Sequence, residues 1–253
     1  MLLNCDMGES FGAWKMGDDE AVMPVIDMAS IACGFHAGDP HVMQHTVRLA
    51  AAHQVRIGAH PSYPDLAGFG RRSMQFSDDD LAAIVHYQIG ALEAICAANA
   101  CQLTYVKPHG ALYNDMQTNP QLFSTILTVI DQCNQHRQQP LQLLTLARID
   151  RQWQQQQAAK YGIPLLFEAF ADRRYEADGQ LRQRKYPDAV LHDADAILQQ
   201  AGQLARGEAI CASDGSALAL QADTLCVHGD NPQSVAVVKA IRDYLNSMAQ
   251  GHA

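Results

Sequence analysis

Short apolar segments that each run into a polar tip recur along the chain, separated by stretches with helical periodicity, and this alternation constrains the fold more than any other feature. Leu2 to Glu9 ends in Asp6 and Glu9, Ala29 to Pro40 in His36 and Asp39, Val55 to Pro61 in His60, and Thr104 to Asn114 in Lys107 and His109. Ile163 to Arg173 carries Glu168, Asp172 and Arg173, and Thr224 to Asp230 carries His228 and Asp230. In a parallel β/α protein the strand interior packs the core, while the loop after its carboxyl end is free to carry chemistry. With Leu141 to Ala147 and Ala209 to Ala212 there are eight strand candidates. Their alternation with helices calls for a parallel sheet, either open or closed. An open sheet gathers its functional loops at one switch point, whereas here strands from first to last contribute polar tips. The expected fold is α/β, a single-domain β/α (TIM-like) barrel over residues 1–253, with irregularity allowed.

Helix signals fall where this pattern needs them. Asp39-Pro40 caps a helix to about His53, Ser77 with Asp80 three residues on begins the longest helix, to about Ala98, and Asn119-Pro120 opens one to about His136. Asp19 to Val25, Ile149 to Lys160 and Ala194 to Arg206 read as further helices, and Asn231-Pro232 caps the last. The stretches His60 to Arg72 and Ala171 to Asp188 exceed what connections need and read as lids or binding loops. The glutamine-rich run Arg151 to Gln157 reads as a solvated helix face.

Eighteen basic residues stand against twenty-seven acidic ones, a formal net charge of -9, and the basic residues are scattered. That argues against nucleic acid or an anionic membrane as partner. No apolar run approaches the roughly 20 residues that cross a bilayer, and Asp6 interrupts the N-terminus before a signal-peptide core can form, so the expected location is cytoplasmic. The seven cysteines include no C-x-x-C pair, which suggests neither a disulfide framework nor a zinc finger. They are expected to be reduced and mostly buried, with Cys5, Cys33, Cys211 and Cys226 packed within strands.

The chain has no G-x-x-x-x-G-K-[ST] phosphate loop, no G-x-G-x-x-G between strand and helix and no G-x-S-x-G elbow. What remains is a set of histidines, carboxylates, a lysine and an arginine, suited to hydrolysis or another carbonyl-centred reaction with general acid and base groups or a metal. Asp6 and Glu9 can be a general base, metal ligands or loop caps. A lone histidine after a strand is as readily one bonded to backbone, but His36, His60, His109 and His228 stand at equivalent positions, which favours a shared site. Asp6, His36 and His60 are candidates for a divalent metal, without the H-x-x-x-H or H-E-x-x-H spacing of a strong metal motif. Lys107 and His109 alternate around Pro108 and so can reach one ligand. Lys107 can hold a carboxylate or phosphate, act as a base if burial lowers its pKa, or form a structural ion pair. Asp172-Arg173 is open to the same alternatives of substrate contact and local ion pair. His41, His45, His53, His86, His136 and His192 lie on or beside helices and are expected at the surface.

Taken together in order, NCDMGE, ASIACGFHAGDP, GAHPSYPD, VKPHGALYN, EAFADRRYEADG and CVHGD resemble the LamB/YcsF family, the A subunits of prokaryotic ATP-dependent 5-oxoprolinase, over nearly the whole chain. The resemblance implies a β/α barrel related to the glycoside hydrolase and polysaccharide deacetylase superfamily. It implies opening of the 5-oxo-L-proline (pyroglutamate) lactam to L-glutamate coupled to ATP hydrolysis, with ATP and Mg as cofactors and B and C subunits as partners. Carried over residue by residue, it gathers Asp6, Glu9, His36, His60, Lys107, His109, Asp172, Arg173, His228 and Asp230 around one pocket. Asp6 or His109 then activates water, Lys107 and Arg173 take the substrate carboxylate or developing negative charge, and His36 and His60 polarise the amide or hold a metal. Asp6, His109, Lys107 and Glu9 form the catalytic set; the others form the substrate-binding set. Two departures from the family pattern stand out: Ser30 replaces a more usual asparagine, and Leu181-Arg-Gln-Arg184 replaces Leu-Val-Pro-Arg. Two other functions suit the same residues, a metal-dependent deacetylase-like hydrolase and a non-catalytic barrel that positions its partners.

Overall fold

Seven of the eight apolar segments pair in parallel and close into a ring. The computed structural model describes residues 1–227 and 232–250, with side chains of the last helix from 235 to 248. Strands β1 (Leu2–Met7), β2 (Met28–Ala32), β3 (Arg56–His60), β4 (Leu103–Val106), β5 (Gln142–Leu146) and β6 (Leu165–Phe170) neighbour one another in chain order. The segment expected as a further barrel strand at Ala209 to Ala212 is instead β7 (Ile210–Cys211), paired antiparallel with β8 (Ala217–Leu218) outside the ring. The reason is local. Gly215 has a positive φ of 87° and Ala212 N–H donates to the Ser216 carbonyl at 2.9 Å, so the chain folds back directly after Cys211. It is β9 (Thr224–Cys226) that sits between β6 and β1 and closes the barrel.

The helices are α1 (Asp19–Val22), α2 (Pro40–Ala52), α3 (Asp78–Ala98), α4 (Gly110–Met116), α5 (Pro120–Asn134), α6 (Gln152–Ala159), α7 (Ala194–Ala205) and α8 (Pro232–Gln250). The expected caps form: Asp39 accepts from the His41 and Val42 N–H groups, Ser77 from Asp80, and Asn119 from Gln121 and Leu122. The cap expected at Asn231 lies outside the described residues. Helix α4, which the sequence pattern does not announce, starts at once after the β4 tip. Gly110, at φ 58°, makes that turn, and a Cβ there would lie 2.4 Å from the Gly70 carbonyl oxygen.

Alternation along the strands divides two populations of side chains. Leu3, Cys5, Ile31, Ile57, Val106, Leu143, Phe167 and Leu225 share one continuous core with helix residues such as Val47, Val85, Ile89, Ile126 and Ile241. The intervening positions point into the barrel. At its lower end Met28, Tyr105 and Leu144 pack with Leu2 and Leu166. Above them the lining becomes polar: Asn4 Nδ2 donates to Thr224 Oγ1 at 3.0 Å, and the Ser30 and Tyr105 hydroxyls lie 3.1 Å apart. Gly58 makes room for Tyr105, since a Cβ at that position would fall 2.1 Å from the ring.

The six helix-associated histidines are exposed as expected. All seven cysteines are free; Cys5, Cys33, Cys96 and Cys226 are buried, but Cys211 is exposed because its strand is half of the outer hairpin. In the glutamine-rich run Gln154 departs from a solvated face: it is buried, and its Nε2 donates to Gln117 Oε1 at 2.7 Å. Against the expectation that no apolar run approaches that length, α3, alone among the described residues, has the length and composition of a membrane-crossing helix. Its Leu81, Val85, Ile89, Leu92 and Cys96 are buried in the core of this fold, and buried Gln88 exchanges two 2.9 Å hydrogen bonds with the Ser62 backbone.

Candidate active site

At the carboxyl ends of the strands the barrel interior opens into a cavity of about 670 Å³. Asp6, Glu9, His60, Lys107, His109 and Arg173 line it, so most of the expected site residues meet in one place. Its mouth carries Arg71, Arg182, Arg184 and Lys185. His228 and Asp230 lie outside the described residues.

The floor is a buried charge network centred on Lys107, whose backbone N–H continues the ladder to Ala59 O at 2.8 Å. Its ammonium lies 2.8 Å from Asp6 Oδ1, 3.0 Å from Glu168 Oε2 and 3.3 Å from Asn4 Oδ1. Burial alone would lower the lysine pKa, but Asp6, Cys226 and Glu168 outweigh it and hold the group well above its ordinary value. Lys107 thus sits between carboxylates as an ion-paired cation, the arrangement of the structural ion pair among its alternatives. Glu168, fully buried, is raised by that burial against the lowering effect of Lys107. Tyr113 is pushed well up, first by burial and then by the Glu168 charge.

Above the lysine stand three imidazoles. His60 Nδ1 lies 2.7 Å from the Lys107 carbonyl oxygen, and His109 Nε2 lies 3.0 Å from that of Phe69. A carbonyl only accepts, so each of these nitrogens carries the proton and the opposite nitrogen faces inward. His109 Nδ1 and His60 Nε2 meet at 2.9 Å; Asp6 Oδ2 is 3.3 Å from His60 Nε2, and Glu9 Oε1 is 3.5 Å from His109 Nδ1. His36 is set behind His109 and does not line the cavity. Their rings stack at 3.7 Å and 6°, and His36 Nε2 lies 3.2 Å from Glu9 Oε1. Burial, followed by neighbouring histidines, holds the pKa values of His36 and His109 well below the ordinary histidine value. One ligand atom each from Glu9, His36, His60 and His109 lies within 4.8 Å of the others, a set with the composition of a metal site.

Arg173 is 6% exposed; its Nε donates to Ala189 O at 3.2 Å and its Nη2 to Arg182 O at 2.7 Å, which aims the guanidinium along the cavity wall. Burial and then Arg184 bring its pKa down to about 10, so it is still a cation at neutral pH. Asp172 is buried next to it without lining the cavity. Glu168, named with the tip residues of its segment, was not gathered into the site as a partner of Lys107, and of the mouth cations Arg71, Arg182 and Lys185 were not expected there. A carboxylate in the middle of an apolar strand was the available signal for Glu168, because a buried charge needs a partner. Arg71, Arg182 and Lys185 carried none, since their approach to the cavity depends on how two long loops fold.

Fold and site together define a parallel β/α barrel with a buried lysine–carboxylate–histidine network at the carboxyl ends of its strands, beneath a cationic opening. The chain belongs to the LamB/YcsF family, whose sequence pattern matches residues 1–252. It is 55% identical over 250 residues to the A subunit of 5-oxoprolinase from Pseudomonas fluorescens, covering 98% of each chain. It is 53% identical over 244 residues to the protein of the same name from Vibrio cholerae, covering 96% of this chain and 97% of the relative. A crystal structure of a lactam utilization protein from Thermus thermophilus superimposes with a TM-score of 0.87 at 37% identity, over 98% of this chain and 97% of that one.

Proposed function

We propose that this chain is the A subunit of an ATP-dependent 5-oxoprolinase and opens the lactam of 5-oxo-L-proline to L-glutamate in the cytoplasm, together with B and C subunits. The observation that carries the reading is the cavity itself. Its Asp6–Lys107–His60–His109 floor supplies acid–base groups, and its arginine-bearing wall suits a small carboxylate or phosphate ligand. The names of the two bacterial relatives support the choice of substrate.

Ring opening adds water across the C5–N bond; the oxygen ends in the new γ-carboxylate and the nitrogen leaves as the α-amine. An amide is a poor electrophile, and transfer of the ATP γ-phosphoryl group to the lactam oxygen makes C5 open to water, with phosphate released after attack. Asp6 or His109 takes the proton from the attacking water, with Glu9 beside them, and Lys107 pairs with Asp6 at 2.8 Å. Arg173 holds the substrate carboxylate or the transferred phosphate, His60 orients the reacting carbonyl, and His36 holds Glu9 in place. ATP with Mg fits the mouth by charge through Arg184 and Lys185, Arg182 being paired with Glu176 at 3.0 Å and Asp188 at 2.8 Å, although the chain lacks a phosphate loop.

The test is glutamate release from 5-oxo-L-proline with and without ATP, by this chain alone and mixed with its B and C subunits. The expected result is ATP-dependent glutamate in the mixture only, with Asp6→Asn and His109→Gln each lowering kcat by about 100-fold or more while assembly survives. Folded subunits that yield no glutamate in any mixture, or variants with undiminished turnover, overturn the reading.

A further inference from the structure

Opening a lactam moves one proton away from the attacking water and another onto the ring nitrogen as the C5–N bond breaks, because an amine leaves readily and an amide anion does not. Asp6 or His109 takes the first; the second needs a donor whose proton is not already held by a fixed acceptor. Most groups around the cavity fail that condition. Lys107 has three N–H donors, and Asp6 Oδ1, Glu168 Oε2 and Asn4 Oδ1 lie 2.8, 3.0 and 3.3 Å from its nitrogen. His60 Nδ1 and His109 Nε2 give their protons to the Lys107 and Phe69 carbonyls at 2.7 and 3.0 Å. Of the lining hydroxyls, Ser73 donates to Asp115 Oδ1 at 3.0 Å, Thr118 donates to Asp115 O at 3.3 Å, and Tyr186 is exposed next to Lys185 at the mouth.

Tyr113 differs from all of these. It lines the cavity with its hydroxyl buried, and none of the described residues is aligned to accept from that hydroxyl, the neighbouring Glu168 carboxylate included. The chain itself fixes its place. Gly110 starts α4 directly at the β4 tip, and Tyr113 follows His109 by one helical turn, its N–H donating to His109 O at 3.3 Å. Its ring stands edge-on to Phe170 at 6.1 Å between centroids, and Lys107 Nζ lies 5.4 Å from the centroid of that same Phe170 ring. His109 and Tyr113 therefore reach the cavity from one strand–helix turn, beside the lysine floor.

The geometry points to Tyr113 as the catalytic acid that protonates the departing ring nitrogen, an assignment that rests on the lactam reading of the cavity. Attack of water on the phosphorylated lactam leaves C5 bonded to the water oxygen, the phosphorylated oxygen and the ring nitrogen. This adduct breaks in one of two ways. When the Tyr113 O–H gives its proton to nitrogen, the C5–N electron pair goes with it, the water oxygen closes to a carbonyl with loss of its proton, and the acyl phosphate that remains is hydrolysed by a second water to glutamate and phosphate. When nitrogen stays unprotonated, the adduct expels phosphate and returns to 5-oxo-L-proline carrying the oxygen of water. Burial and the Glu168 charge keep the proton on the phenol until the nitrogen becomes basic, as it does while C5–N lengthens. Tyr113 regains a proton, and the base sheds one, when water refills the emptied cavity.

The test measures phosphate and glutamate released from 5-oxo-L-proline and ATP by wild type and Tyr113→Phe, each assembled with the B and C subunits, in water labelled with heavy oxygen. Wild type is expected to release the two products in equal amounts. Tyr113→Phe should still release phosphate in response to 5-oxo-L-proline, with the phosphate-to-glutamate ratio raised by about tenfold or more and the label entering the recovered 5-oxo-L-proline. Tyr113→Met, which also lacks the hydroxyl, serves where Tyr113→Phe fails to fold by circular dichroism. A proportional fall of both products with assembly intact makes Tyr113 a structural residue and overturns the assignment, as does a ratio that stays at the wild-type value with undiminished turnover. A wild-type complex that yields no glutamate overturns the lactam reading itself, and the assignment falls with it.

Discussion

At the scale of single residues the molecule is organised around one buried cation. Lys107 is 2% exposed, with Asp6 and Glu168 at 2.8 and 3.0 Å, and the Glu168 side chain is fully buried. Removing one partner of a buried ion pair leaves an uncompensated charge, at a cost of about 3–5 kcal/mol, whereas replacing both partners by neutral groups of similar shape costs much less. Lys107→Met should therefore destabilise the fold by about that amount in urea unfolding, and Lys107→Met/Glu168→Gln should be more stable than Lys107→Met alone. Additive losses in the double variant would show that Glu168 and Lys107 are not coupled. The chemistry of Lys107 was legible in the sequence because it and His109 alternate at a strand tip. Its state was not, because whether a buried lysine is a base or a fixed cation depends on Glu168 and Asp6, which are contributed by strands distant in sequence.

At the scale of elements, β3 and β4 fit together because Gly58 lies beside Tyr105, its cross-strand partner, on the face that points into the barrel. Gly58→Ala would drive a methyl group into the ring from 2.1 Å, and overpacking of this sort costs about 1–3 kcal/mol. Truncation in Gly58→Ala/Tyr105→Leu should recover much of the loss in thermal melting; no recovery would move the cause from the ring to the backbone irregularity between Ile57 and Gly58. The loop after β3 is held by Asp65, 4% exposed, which accepts from Gly68 N–H at 3.0 Å and from Arg72 Nε at 2.9 Å. The Arg72 guanidinium holds this carboxyl below its ordinary value. A depressed acid contributes stability that is present above its unfolded pKa and lost as pH falls through the folded one. Asp65→Asn should thus cost about 1 kcal/mol at neutral pH, and the difference from wild type should disappear below the ordinary aspartate range of about 4. A gap that persists in acid would assign the loss to shape instead of charge. Caps such as Asp39, Ser77 and Asn119 were readable because they depend on neighbours within three residues. Helix α4 and the β7–β8 hairpin were not: Gly110 owes its conformation to the close approach of Gly70, and a two-residue strand has too little alternation to be told from a barrel strand.

At the scale of the whole molecule, a chain with a formal net charge of -9 concentrates Arg71, Arg173, Arg182, Arg184 and Lys185 around one opening. The bulk count therefore says little about the local field, since sequence position scatters cations that two long loops bring together. Asp115, Glu176 and Asp178 share that lining and Arg182 is paired with Glu176 and Asp188, so the excess of positive charge at the mouth is modest; what there is attracts a small anion to the cavity. In water a unit charge about 8 Å away contributes roughly 0.5 kcal/mol, and the Debye length falls from about 10 Å at 0.1 M salt to about 3 Å at 1 M. If the substrate is an anion entering by this mouth, Arg184→Ser/Lys185→Ser should raise KM for 5-oxo-L-proline by about two- to fivefold at low salt with little change in kcat, because neither side chain reaches the floor of the barrel. Wild type and variant should converge as salt approaches 1 M, where the field is screened. A KM difference that is unchanged by salt would mean that the two residues act by contact and not by field. A fall in kcat with KM unmoved would instead place them with the reacting groups.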